Sequence, residues 1–247
     1  YQFPYGGRSN QFLLNEVLIA ANCEYEANRY FAEGNLKLAG MFKRSAHLAV
    51  LSMKRWLFQT PPHHIKNFYP QDSLWGCEDY GYYDKYMATV GSFVYIAYLY
   101  ADDRIEEFPC PAEMGGFVFE TSESFHKIFA NNGTYFLEFD TNPDPHYDCA
   151  GLGRIHKKEI PTELMLSVPI TENPSYKIPQ ENKHALSLCT GWLDEKGNQV
   201  FLYDQKNLKH TLSEIRVNGT ELSFTVIWSG NFCGCSAIKE HYCLTEE

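Results

Sequence analysis

One switch of pattern, between Pro109 and Met114, limits what this chain can fold into. Before it, apolar residues recur every three or four positions through long stretches free of Pro, which is the period of an amphipathic helix. After it, Gly115-Gly116 opens a series of short alternating runs separated by turn residues, the pattern of antiparallel strands. Helices and strands that follow one another without interleaving exclude a βαβ architecture and predict an α+β chain. A helical part over 1–112 and a β-sandwich over 113–247 are expected, and 247 residues suffice for both.

In the first part, residues 11–33 place Leu14, Val17, Leu18 and Ala21 at helical intervals, and Gly34 supplies a stop. A second helix is expected over 36–58, with Leu38, Met41, Phe42, Ser45, Leu48, Ala49, Ser52 and Trp56 on one face. Lys37, Lys43, Arg44 and Lys54 take the other, and Pro61-Pro62 ends it. A third covers 83–100 through Met87, Val90, Val94, Ala97 and Leu99. The long loop between the second and third helices crowds His63-His64, Lys66, Trp75, Glu78-Asp79-Tyr80 and Tyr82-Tyr83 together. A long irregular loop this aromatic is a first place to seek a site.

In the second part, strands are expected over 117–119, 125–130, 135–140, 164–168, 186–192, 200–203 and 212–217, and Asn218-Gly219 is expected to supply the positive φ angles of a hairpin turn. The longest apolar run, 93–101, falls well short of the ~20 residues that span a bilayer, so no membrane span is expected. A formal net charge of −10 excludes general binding to nucleic acid or anionic membrane, and restricts any anionic ligand to local basic sites. Eight cysteines without a CxxC pair do not form a disulfide framework, and no nucleotide-binding glycine loop or other cofactor motif occurs, so no cofactor is expected. The first residue, Tyr1, and the lack of a leader before Gly6-Gly7-Arg8 read as a piece of a longer protein.

Three stretches carry a resemblance to a family. Gly7-Arg8-Ser9-Asn10 precedes the first helix, Glu78-Asp79-Tyr80-Gly81-Tyr82-Tyr83-Asp84-Lys85-Tyr86 leads into the third, and Gly151-Leu152-Gly153-Arg154-Ile155-His156 falls in the second part. Together with Gly116-Phe117-Val118-Phe119 and Tyr135-Phe136-Leu137-Glu138, this order resembles the heparinase II/III-like polysaccharide lyases. The resemblance implies an incomplete (α/α) toroid followed by an antiparallel β-sandwich, a secreted or periplasmic location and an acidic polysaccharide or oligosaccharide as substrate. Asn10 matches the Asn that opens a helix in that family, Tyr83 and Tyr86 match its two tyrosines, and 151–156 resembles its His-bearing loop. Asp84 stands where those lyases commonly have His, and the usual His-x-x-x-Asp continuation is absent. Toroid glycoside hydrolases acting on uronic-acid glycans share the architecture.

A lyase must remove the proton at C5 of a uronic acid, which requires the neighbouring carboxylate to be neutralised. Asn10, Arg8 and His156 are suitable donors, Tyr83 is the candidate acid or base with His156 or His64 as partner, and Arg154 and Lys66 supply a positive field that favours the tyrosinate. A hydrolase instead needs two carboxyl groups, with Glu78 as general acid and Asp79, Asp84 or Asp148 as the second group, while Trp75 and Tyr80 stack on sugar rings. A non-catalytic glycan-binding protein would use Trp75 and the aromatic loop alone. Plainer roles stand beside each: Asn10 as a helix cap, Tyr82, Tyr83 and Tyr86 as packing aromatics, His63-His64 as exposed loop, and 151–158 as a solvated basic turn. Asp140, Asp144 and Asp148 read as Ca²⁺ ligands or as Asp-Pro turns, and Cys233, Cys235, His241 and Cys243 as a Zn²⁺ set or as strand alternation. The plainer reading is preferred for both, with no metal expected.

Overall fold

The computed structural model describes residues 14–57, 85–142, 150–160, 166–167, 188, 190–202, 205, 207–232 and 235–246, with backbone alone at 55–57, 85–86 and 166–167. The chain divides into two compact units that meet between Met114 and Gly115. The fold is mixed α+β with antiparallel sheets, and among the described residues no helix is long and apolar enough to cross a membrane.

The helical unit contains α1 (Leu14–Ala32), α2 (Leu36–Leu57), α3 (Lys85–Tyr100) and the single turn α4 (Pro111–Met114). Helix α1 packs against both α2 and α3 through small side chains: Ala20, Ala21, Ala49 and Ala97 form one buried cluster, and Val17, Met53 and Val90 another. Alanines let the helix axes come close, because little side-chain volume stands between the backbones. The junction of α1 and α2 is capped on both sides. Gly34 takes φ of 79° while the Asn35 amide donates to the Tyr30 carbonyl at 2.9 Å, and the Asn35 side chain then accepts from the Leu38 amide at 3.2 Å.

The basic face expected on α2 is not all solvated. Lys43 turns to Glu24 of α1 at 3.0 Å, where burial pushes the Glu24 carboxyl above its ordinary range although the ammonium pulls it down. Arg44 grips Glu113 of α4 with both Nε and Nη2, and reaches Glu107 at 3.2 Å.

The second unit holds a five-stranded meander, β1 (Phe117–Glu120), β2 (Lys127–Asn131), β3 (Tyr135–Asp140), β4 (Gly151–Lys157) and β5 (Leu166–Ser167), in that order. After the separate hairpin of β6 (Gly191–Leu193) and β7 (Gln199–Phe201), a three-stranded sheet follows in the order β10-β9-β8, from β8 (Lys209–Asn218), β9 (Glu221–Ser229) and β10 (Ala237–Leu244). The two larger sheets share one core, with Ile128, Leu137, Phe139 and Leu152 from the first and Phe224, Val226, Trp228 and Ile238 from the second. Phe139 meets Phe224 edge-on at 5.7 Å between ring centroids.

Three expectations change. The stretch 151–158, read as a Gly-rich turn, is strand β4 through Lys157, paired to β3 along its length. The register pairs Asn218 with Glu221, so Gly219-Thr220 form the two-residue loop and Gly219, at φ of 61°, supplies its positive φ. The expected strand over 186–192 begins only at Gly191 among the described residues. Asp144 and Asp148 lie outside the described residues, whereas Asp140 sits within β3.

A candidate functional site on the five-stranded sheet

Alternation along β2 and β3 sends Ile128, Ala130, Leu137 and Phe139 into the shared core and Lys127, Phe129, Phe136, Glu138 and Asp140 to the opposite face. Strand β4 joins that face through a bulge. Glu138 pairs with Arg154 but the next residue, Phe139, pairs with Leu152, so Gly153 is an extra residue that reverses the alternation. Leu152 and Ile155 therefore stay with the core while Arg154 and His156 emerge on the other side, beside Glu138 and Phe136.

That second face is not solvent-washed. Lys127 is 3% exposed, Arg154 2%, and Glu138 and Asp140 0%. Phe129 and Phe136 stack beside them with ring centroids 5.9 Å apart. Four charged side chains are thus held in a low-dielectric setting, where each needs partners to offset its lost hydration. Asp140 has them: it accepts from the Lys127 ammonium, from His126 Nδ1 at 2.8 Å and from the Asn142 amide at 2.9 Å. Glu138 is served less well. Arg154 Nη1 stands 3.6 Å from its carboxyl, and neither of its oxygens receives a hydrogen bond among the described residues.

The consequence is a divided carboxyl pair. Burial pushes Glu138 up to about 7, against the opposing pull of Arg154 and Lys127, so it exchanges a proton near neutral pH. Burial likewise pushes the Arg154 guanidinium down from its ordinary value, with Glu138 holding it up. Two carboxyl groups on one strand face, one rich in donors and one poor, form the kind of contrast that separates acid from base.

His156 is the more open member of this face. Its Nε2 lies 2.7 Å from the Ile160 carbonyl oxygen, which can only accept, so Nε2 carries the proton and Nδ1 is the acceptor of the neutral ring.

Arg154 and His156 are the two expected site residues that fall among the described ones, and β4 brings them to one face. Tyr83, Asn10, Glu78, Arg8, His64, Trp75, Tyr80 and Asp84 lie outside the described residues, as do Lys66 and Asp79. No family model, no curated protein and no solved structure matches this chain. Among the described residues no three metal-ligating side chains converge.

Sequence reasoning missed Lys127, Glu138 and Asp140 as a cluster. Their signal was present, because Phe129 and Phe136 share their face and a strand apolar on both sides reads as buried on both sides.

Proposed function

We propose that this chain belongs to a carbohydrate-active enzyme that cleaves uronic-acid-containing glycan by β-elimination. The observation that carries the proposal is the β4 face, where a buried guanidinium and a histidine with its acceptor nitrogen fixed stand side by side in a chain that is acidic overall. Helices followed by two antiparallel sheets with a common core are the order expected of a partial (α/α) toroid and a β-sandwich, and support the same reading.

In this mechanism Asn10 and Arg8 bind and neutralise the substrate carboxylate, which acidifies the C5 proton. Tyr83 and His156 divide the proton work, one removing the C5 proton and one delivering a proton to the leaving oxygen at C4. Arg154, at 2% exposure, acts through its field on the sugar-binding surface and not by contact.

The test is incubation of the protein with a panel of acidic glycans while the far-ultraviolet absorbance of a conjugated uronate is followed. Absorbance that grows with time, and that is lost in Tyr83→Phe and His156→Ala, is expected. New reducing ends without that absorbance overturn elimination and favour hydrolysis, in which Glu78→Gln abolishes activity and Tyr83→Phe leaves most of it. Binding of glycan through Trp75 without turnover overturns both and leaves a binding protein.

A further inference from the structure

A second polar cluster lies on the three-stranded sheet, on the face that Phe224, Val226 and Trp228 leave free by pointing into the core. Cys243 and His241 are alternate residues of β10, and the register sets His241 beside Thr225 of β9, which pairs in turn with Ser213 of β8. Strand β8 then bulges, and Glu214 in the bulge adopts φ of 54°, a left-handed backbone that a glutamate rarely takes. That conformation delivers its carboxylate to Thr225.

The contacts form one line. Cys243 Sγ lies 3.3 Å from His241 Nε2, His241 Nδ1 lies 2.8 Å from Thr225 Oγ1, and Thr225 Oγ1 lies 2.6 Å from Glu214 Oε2. Donor and acceptor chemistry fixes every proton along it. The Glu214 carboxylate can only accept, and the Thr225 hydrogen bond holds it below its usual range and hence ionised, so the single hydroxyl proton of Thr225 points to it. Thr225 is then an acceptor toward His241, and Nδ1 must carry the imidazole proton. Nε2 of the neutral ring is left as a lone pair facing the Cys243 thiol. A nucleophile, its base, an orienting hydroxyl and a terminal carboxylate thus stand in series, with both Cys243 and His241 exposed.

We propose that Cys243 is a modification site, a thiol primed by His241 that forms a mixed disulfide with low-molecular-weight disulfides. His241 Nε2 takes the thiol proton, and the thiolate attacks one sulfur of the incoming disulfide. The new bond from Cys243 forms as the old sulfur–sulfur bond breaks. The Cys243 sulfur is oxidised, and the departing half is reduced and leaves as a thiol with the proton from His241. The imidazolium stabilises the Cys243 thiolate beside it, the Thr225–Glu214 pair stabilises the positive charge that develops on the ring, and the exposed Cys243 is open to a small reagent. The site is independent of the glycan-cleaving face.

The experiment treats the intact protein with glutathione disulfide and follows the adduct at each cysteine by peptide mass spectrometry. Cys235, also exposed and free, is the internal reference. Cys243, with the acceptor nitrogen of His241 3.3 Å from its sulfur, is expected to react several-fold faster than Cys235. His241→Ala is expected to bring Cys243 down to the rate of Cys235 while leaving Cys235 unchanged, and Thr225→Val to bring it part of the way. Equal rates at the two cysteines in the unaltered protein overturn the proposal, and so does a Cys243 rate indifferent to His241→Ala.

Discussion

The two large sheets of the second unit each turn one face to a common core, yet their other faces treat charge in opposite ways. On the five-stranded sheet Lys127, Asp140, Glu138 and Arg154 are almost wholly withdrawn from water, whereas on the three-stranded sheet Glu214, His241 and Cys243 stand open to it. Both faces have a lysine within ion-pair distance of a carboxylate, Lys127 with Asp140 and Lys239 with Glu214. The contacts are nominally alike, but the surroundings decide what each is worth: a buried pair is held by the cost of leaving either member alone, and an exposed one is screened and weak.

The largest expected effect follows from that rule. Lys127→Met leaves Asp140 fully buried with the His126 ring and the Asn142 amide as its remaining partners, and a loss of about 3–5 kcal/mol in unfolding free energy is expected in denaturant titration. A loss comparable to that of a surface lysine would erase the distinction between the two faces.

Arg154→Met is expected to follow, with a signature in pH. The Glu138 carboxyl rests at about 7 with Arg154 beside it, and removing the guanidinium drives it higher. A carboxyl raised in the folded state favours folding below its unfolded value of 4.5 and loses that contribution as pH rises to its folded value. The unaltered protein stops losing it near 7 and the variant does not, so the deficit of the variant should widen above pH 7. A deficit independent of pH would mean that Glu138 is not the group Arg154 serves.

Glu138→Gln tests the same carboxyl from the other side. The sign is that of a raised acid: between pH 4.5 and about 7 the unaltered protein loses stability that the glutamine variant retains, so the two unfolding curves diverge across that window and run parallel outside it. The amide also offers a donor that the ionised carboxylate lacks. Parallel curves throughout would place Glu138 in a polar, hydrated setting and would remove the contrast with Asp140.

How much of this was legible in the sequence depends on whether a local pattern or a pairing decided the outcome. Helix α1 and its stop at Gly34 could be read from spacing and a glycine, because the determinants are neighbours in the chain. Strand β3 was read over its full length for the same reason, since Leu137 and Phe139 alternate with Glu138 and Asp140. Strand β4 could not be read that way. Gly151 and Gly153 are turn residues by propensity, and only the ladder with β3 makes them strand. The bulge at Gly153 then moves Arg154 to the face opposite Leu152, a reversal that simple alternation misassigns. Ion pairs such as Lys43 with Glu24 are likewise matters of tertiary approach: the charge was visible, the partner was not.

The smallest expected effect closes the comparison. In Lys239→Ala the exposed pair with Glu214 is lost, and the ammonium and carboxylate, 3.7 Å apart with side chains 60% and 51% exposed, exchange each other for water at almost no cost. The denaturation midpoint is expected to stay where it is, and to stay there at raised salt, because screening removes what little attraction the pair has. Lys127→Met should respond to salt hardly at all for the opposite reason, since ions do not reach a carboxylate that water does not reach. If instead Lys239→Ala lowered the midpoint as far as Lys127→Met, the bulge that holds Glu214 at positive φ would depend on the lysine and not on Thr225 alone, and the open face would be as tightly organised as the buried one.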